Sequence, residues 1–167
     1  MFEQSFIKGN TSKGRFITPR GIVLHHTGDY SVNSVVNTFT NPRSLASAHV
    51  LILKTGDRIQ FAYDNQRTWH SGRSEFKGEN GCNNFMLGVE FHGDTYKDPL
   101  TELQILSFID WALPRIEDFN IKEDWITDHR TVSPERKVDL NPVEFDKIRI
   151  FINYLYKLNQ IRTLWKT

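Results

Sequence analysis

Residues 21–26, Gly-Ile-Val-Leu-His-His, constrain the fold more than any other stretch of the chain. An apolar run this short suits one buried strand, and two imidazoles at its end put polar groups where such a strand leaves the core. A second strand is expected at 85–91. Its alternation puts Phe85, Leu87, Val89 and Phe91 on one face, and Met86, Gly88, Glu90 and His92 on the other. Residues 47–53 and 58–63 flank Lys54-Thr55-Gly56-Asp57 and read as a hairpin. A short helix is expected over 31–39, stopped by Asn41-Pro42. Thr101 can cap a helix over 102–113, and 144–158 carries a stripe of Phe145, Ile148, Phe151, Ile152 and Leu155. Residues 125–128 fit a short strand leading into a loop that opens at His129. The expected class is therefore α/β, with one mixed, mostly hairpin-built sheet flanked by helices.

At 167 residues, with no repeat or linker, the chain is expected to form one domain over 1–167, its core at about 18–158. A chain of this size buries roughly 70% of its unfolded surface and needs no disulfide staple. The single cysteine, Cys82, has no internal partner, which suits a reducing compartment and a structural role. A net charge of +1 argues against a nucleic-acid binder with a dense basic face. The first residues hold no apolar run of signal-peptide length, and no stretch approaches the ~20 apolar residues of a membrane span. A cytoplasmic monomer with no membrane partner is expected.

Six histidines invite a metal hypothesis, although any one of them taken singly is more often structural. Position sharpens the question. Two imidazoles and a carboxylate from separate segments would leave one tetrahedral position of zinc open, as catalytic sites do. His129 and Asp139 lie close in sequence, and His25 or His26 ends an apolar strand. Neighbours on a strand face opposite ways, so the pattern does not choose between His25 and His26. Lys137 and Asp139 leave an extended chain on the same side, where an ammonium can stabilise an oxyanion; a solvated, salt-bridged loop is the plainer reading. Glu90, a carboxylate within an apolar strand, is costly to bury unless it pairs or works. Facing an activated water it would be a general base, and at an exposed sheet edge it would merely be solvated.

Four blocks resemble one family, the type 2 N-acetylmuramoyl-L-alanine amidases, which also includes phage endolysins and peptidoglycan recognition proteins. They are Ile22-Val23-Leu24-His25-His26-Thr27, Ala46-Ser47-Ala48-His49-Val50-Leu51-Ile52, Thr68-Trp69-His70-Ser71-Gly72 running on to Cys82-Asn83-Asn84 and Glu90, and His129 through Lys137 to Asp139. In order, over residues 21–146, they are most similar to the AmpD-type amidases that recycle 1,6-anhydro-muropeptides. The resemblance implies zinc held by His25, His129 and Asp139, with His26 beside the metal. It implies Glu90 as catalytic acid and base, Lys137 near the oxyanion, and a substrate groove touched by His26, Trp69 and His70. It leaves His49 without a role.

The implied activity is zinc-dependent hydrolysis of the amide between the N-acetylmuramic acid lactyl group and L-alanine, in muropeptides or in cell-wall peptidoglycan. Two alternatives stand beside it. One is a non-catalytic peptidoglycan-binding module, which the intact ligand triad disfavours. The other is an endolysin with the same chemistry, released to the wall at lysis. The chain departs from the family in reading Leu140-Asn141-Pro142 after Asp139, and in having Gly81 where some recycling amidases carry a basic residue. The tail 159–167 matches no block.

Overall fold

The computed structural model describes the backbone of residues 2–164 and the side chains of residues 2–157. The strands are β1 (Gln4–Phe6), β2 (Gly21–His26), β3 (Val50–Ile52), β4 (Arg58–Gln60), β5 (Glu75–Phe76), β6 (Glu79–Asn80), β7 (Met86–Phe91) and β8 (Ile126–Asp128). The α-helices are α1 (Val32–Thr40), α2 (Glu102–Asp118), α3 (His129–Val132) and α4 (Pro142–Leu164). Six strands form one sheet in the order β1-β4-β3-β7-β2-β8, and β5 and β6 form a separate hairpin. No described helix is long and apolar enough to cross a membrane. The last three residues of the unmatched tail, 165–167, lie outside the described residues.

The expected α/β sheet flanked by helices is present, but hairpins contribute less to it than expected. Among its described pairings only β3·β4 is antiparallel, while β1·β4, β3·β7, β2·β7 and β2·β8 are parallel. Parallel neighbours need long crossovers, and the chain supplies them as helices and loops. In the middle of the sheet β2 lies beside β7 with His25 level with Glu90. Level partners on parallel strands point to the same side, so this register alone brings an imidazole and a carboxylate together.

One face of the sheet is sealed by helices. Ile22 and Leu24 of β2, Val50 and Ile52 of β3, and Leu87, Val89 and Phe91 of β7 pack against Phe108 and Trp111 of α2 and Ile148 and Ile152 of α4. On the opposite face two smaller apolar clusters leave a gap. Val23, Cys82, Phe85, Met86 and Val132 lie at one end. Leu51, Ala48 and Phe61 lie under Val35 and Phe39 of α1 at the other. The candidate site occupies the gap.

Helix limits follow from caps. Ser31 accepts from the Ser34 N–H at the start of α1. Thr101 and Gln104 form a reciprocal capping box on α2. That helix was expected to stop at 113, before Pro114, yet it runs to Asp118. Pro114 removes one backbone bond, and burial of Ile116 in the core holds the last turn in place. α4 starts at Pro142, where a missing N–H costs nothing, with Asn141 Oδ1 accepting from the Val143 N–H. Phe85 corrects the expected alternation. It ends the 3-10 turn Cys82–Asn84, lies outside β7, and joins Met86 on the opposite side from Leu87.

Candidate functional site

His25 is the fifth residue of β2 and points into the gap, with 1% of its surface exposed. β8 runs parallel to β2 with Leu24 level with Asp128, which delivers the next residue, His129, beside His25. His129 does not open a loop as expected. It is the first residue of α3, because Asp128 caps that turn by accepting from the Thr131 N–H at 2.8 Å. Asp139 returns to this point as the Arg130 N–H donates to the Asp139 carbonyl at 2.6 Å. The following Asp139–Leu140 peptide bond is cis.

These three side chains converge. His129 Nδ1 lies 3.1 Å from Asp139 Oδ2 and His25 Nδ1 lies 3.5 Å from the same oxygen. The two imidazole centroids are 4.2 Å apart, with the rings edge to face. One donor atom from each residue lies within 4.8 Å of the others, a spread that a single metal ion can span. Of the two neighbouring histidines, His25 and not His26 belongs to this cluster.

Electrostatics match a cation site. Burial, then the neighbouring His129, lowers the His25 pKa to about 4, so this imidazole is a neutral lone-pair donor at neutral pH. Burial pushes the Asp139 carboxyl upward, but hydrogen bonds from His129 and His25 outweigh it and hold the group well below the usual carboxylate range. Asp139 is therefore a carboxylate. Glu90 behaves in the opposite way. Burial first, then the charge of Asp139, drives its pKa well above the ordinary value, and its Oε2 is buried with no hydrogen-bond partner.

A cleft of about 350 Å³ opens over the cluster, lined by Glu90, Lys137, His129 and Asp139 together with His26, Trp69 and His70. Its outer wall comes from α1, through Val35 and Phe39. The Thr95 N–H donates to His26 Nδ1 at 3.1 Å, which puts the proton of a neutral ring on Nε2. Burial lowers the pKa of His26 as well. Trp69 is held through its backbone N–H, which donates to Ser47 Oγ, and the Arg67 guanidinium stacks 4.3 Å from its ring. His70 is different from both. It is buried, and its ring nitrogens meet His25 Nε2 and the Met86 carbonyl, each at 3.1 Å, which leaves none for a substrate.

Two further residues are found only in three dimensions. His49 accepts the Gly88 N–H at Nδ1 and meets the Gln66 carbonyl at Nε2, so it ties β7 to the loop before Trp69. Asn83 Oδ1 accepts from the backbone N–H groups of His70 and Ser71. Both lie in the sequence blocks quoted above, but nothing local marks what they touch. His92 is not among the residues lining the cleft, and Cys82 is buried and free.

A family model described as N-acetylmuramoyl-L-alanine amidase matches residues 15–142. The chain is 36% identical over 94 residues to the 1,6-anhydro-N-acetylmuramyl-L-alanine amidase AmpD of Haemophilus influenzae, covering 56% of this chain and 50% of that protein. It spans about half the length of the curated relatives it matches. Among solved structures, that of a selenomethionine AmpD derivative superposes with a TM-score of 0.75 at 23% identity, over 89% of this chain and 93% of that one. The Escherichia coli amidase AmiD, in complex with anhydro-N-acetylmuramic acid-L-Ala-D-γ-Glu-L-Lys, superposes with a TM-score of 0.68 at 22% identity, over 79% and 56%.

Proposed function

The chain belongs to the N-acetylmuramoyl-L-alanine amidase family, and from that membership we propose that it hydrolyses the amide between the lactyl group of N-acetylmuramic acid and L-alanine, with zinc held by His25, His129 and Asp139. Support comes from one observation above all. Two neutral-capable imidazoles and one carboxylate turn donor atoms to a common point, and Glu90 and Lys137 line the cleft over that point. Two nitrogens and one oxygen are a donor set that suits zinc and leaves a position open for chemistry. When bound, zinc supplies a Lewis acid and lowers the pKa of water toward about 7.

The chain's own groups do the rest. Glu90, as a carboxylate, takes a proton from the attacking water, and its pKa, raised by burial, makes it a competent acid afterwards. The protonated carboxyl hands that proton to the amide nitrogen as the C–N bond breaks, releasing the L-alanine amine. The Lys137 ammonium lies in the same cleft and offsets negative charge on the carbonyl oxygen of the tetrahedral intermediate. His26, with its proton on Nε2, and the Trp69 ring hold the sugar and peptide on either side of the scissile bond.

The substrate class we favour is soluble anhydro-muropeptide, handled in the cytoplasm. This follows the resemblance to AmpD, and an AmiD of the same fold carries such a molecule. Mass spectrometry of products from anhydro-muropeptides and from intact sacculi, with and without a chelator, tests the reading. Release of the peptide from the soluble fragment, abolished by the chelator and restored by zinc, is expected. Solubilised sacculi would instead mark a lytic role, and muropeptide binding without cleavage a binding module.

A further inference from the structure

The turn that follows β7, Asp94-Thr95-Tyr96, belongs to none of the four sequence blocks, yet it ties together two of the segments that carry the candidate ligands. Asp94 shapes it. Its Oδ1 accepts from the Tyr96 N–H at 3.0 Å, and its carbonyl accepts from the Lys97 and Asp98 N–H groups. Thr95 reaches back to β2, where its N–H donates at 3.1 Å to Nδ1 of His26, the neighbour of His25. On the other side Thr95 Oγ1 accepts from the Asn141 N–H at 2.9 Å, and the Tyr96 hydroxyl donates to the Val138 carbonyl at 2.9 Å. One short turn thus runs from the end of β2 to both sides of Asp139.

Where those bonds fall along the chain gives them their effect. A residue has two soft backbone dihedrals, and each leads to a rigid peptide plane. The plane before Asp139 contains the Val138 carbonyl, which Tyr96 holds. The plane after it contains the Asp139 carbonyl, which accepts from the Arg130 N–H at 2.6 Å. With both planes fixed, the Cα–Cβ bond of Asp139 keeps one direction, and the carboxylate meets His25 and His129. Packing offers no substitute on the Tyr96 side, since Val138 is 63% exposed. A ligand already held in place loses little freedom when it binds, so an anchor on its backbone adds to affinity.

We propose that Tyr96 is a positioning residue for the metal site: by holding the Val138 carbonyl it fixes the backbone from which Asp139 projects. This rests on the reading of His25, His129 and Asp139 as metal ligands. One hydrogen bond acting through the backbone corresponds to about 2–10-fold in affinity. Tyr96 is itself half-exposed, so its hydroxyl adds little to the stability of the fold.

Tyr96→Phe keeps the ring, with its edge-on contact to His26 at 6.3 Å, and deletes only the hydroxyl. Zinc is titrated into metal-free wild type, Tyr96→Phe, Asp139→Ala and the double variant against a chromophoric chelator, and the Tm of each metal-free protein is measured alongside. Tyr96→Phe is expected to bind zinc about 2–10-fold more weakly, with a Tm within about 2 °C of wild type. In the Asp139→Ala background no carboxylate is left to aim, and loss of the hydroxyl is expected to weaken zinc binding no further. Wild-type affinity in Tyr96→Phe, whatever its Tm, would overturn the proposal, and so would an equal loss with and without the Asp139 carboxylate. Should Asp139→Ala bind zinc too weakly to titrate, the affinity of Tyr96→Phe decides alone. Asp139→Ala binding zinc as tightly as wild type would instead sink the ligand assignment itself.

Discussion

On the helix-backed face of the sheet, Ile22, Leu24, Leu87, Val89 and Phe91 meet Phe108, Trp111 and Ile148, and in that set only the Trp111 indole has a hydrogen bond to make, which it donates to Gln60 Oε1 at 2.9 Å. One residue along the same two strands, on the opposite face, stand Val23, His25, Gly88 and Glu90, with His70 and His49 packed over them. The first face removes apolar surface from water, and fully burying one large side chain there is worth about 1.5–3 kcal/mol. The second buries imidazoles and a carboxyl, each costly unless its polar atoms are matched. All but one of these match. His49 and His70 have both ring nitrogens engaged, and His25 has both in contact with polar partners. The exception in this group is Glu90, whose Oε2 is buried without a partner, in keeping with the role proposed for it.

This contrast is broken or sharpened by substitutions that separate turnover from stability. Glu90→Ala should lower kcat/KM on an anhydro-muropeptide by about 10²–10⁴-fold, while zinc content is kept and the unfolding midpoint stays level or rises. A variant that turns over normally would refute the role. On the other face, Phe108→Ala should cost about 3–5 kcal/mol in chemical denaturation and leave zinc affinity of the folded protein unchanged. A zinc affinity that falls with it would mean the two faces are not independent.

Acidity should find the polar face first. Burial, opposed in part by a hydrogen bond to the Gln66 carbonyl, holds the His49 pKa at about 4, against an ordinary value of 6.5. The unfolded chain therefore takes up a proton at this position before the native one does. The contribution is intact above about pH 6.5 and is lost progressively as pH falls toward 4, by about 3 kcal/mol in total. Urea unfolding of wild type and His49→Gln across that window measures it, and equal pH slopes in the two proteins would rule it out. The smallest effect is expected at the edge of the helical layer. Thr101→Ala removes the cap and half of the capping box of α2, at about 1 kcal/mol, visible as a small fall in Tm with no change in turnover.

Much of this was legible in the chain. β2, β7, the β3–β4 hairpin, α1 and the start of α2 follow from apolar alternation, capping residues and proline positions, all of which act within a few residues, whereas α4, expected over 144–158, begins two residues earlier at Pro142. The strand β1 was not legible, because Gln4–Phe6 is exposed along its whole length and carries no pattern of burial. Nor was the two-stranded hairpin β5–β6, whose strands have only two residues each. The end of α2 was not legible either: expected at 113, it lies at Asp118, where packing of Ile116 holds the last turn.

The candidate site divides along the same line. His25, Glu90, His129, Lys137 and Asp139 could be singled out from residue type and motif, because metal and proton chemistry demands those side chains wherever the fold puts them. Which of His25 and His26 faces Asp139 was decided by the parallel pairing of β2 with β7 and β8, contacts between residues more than sixty positions apart. The part of His70 was decided there too. In sequence it reads as a groove residue, and only the space over Gly88 and the carbonyl of Met86 turn it inward to face His25. A linear chain carries the identity of its donors, but where each donor points depends on what holds it from behind, and that neighbour arrives only through folding.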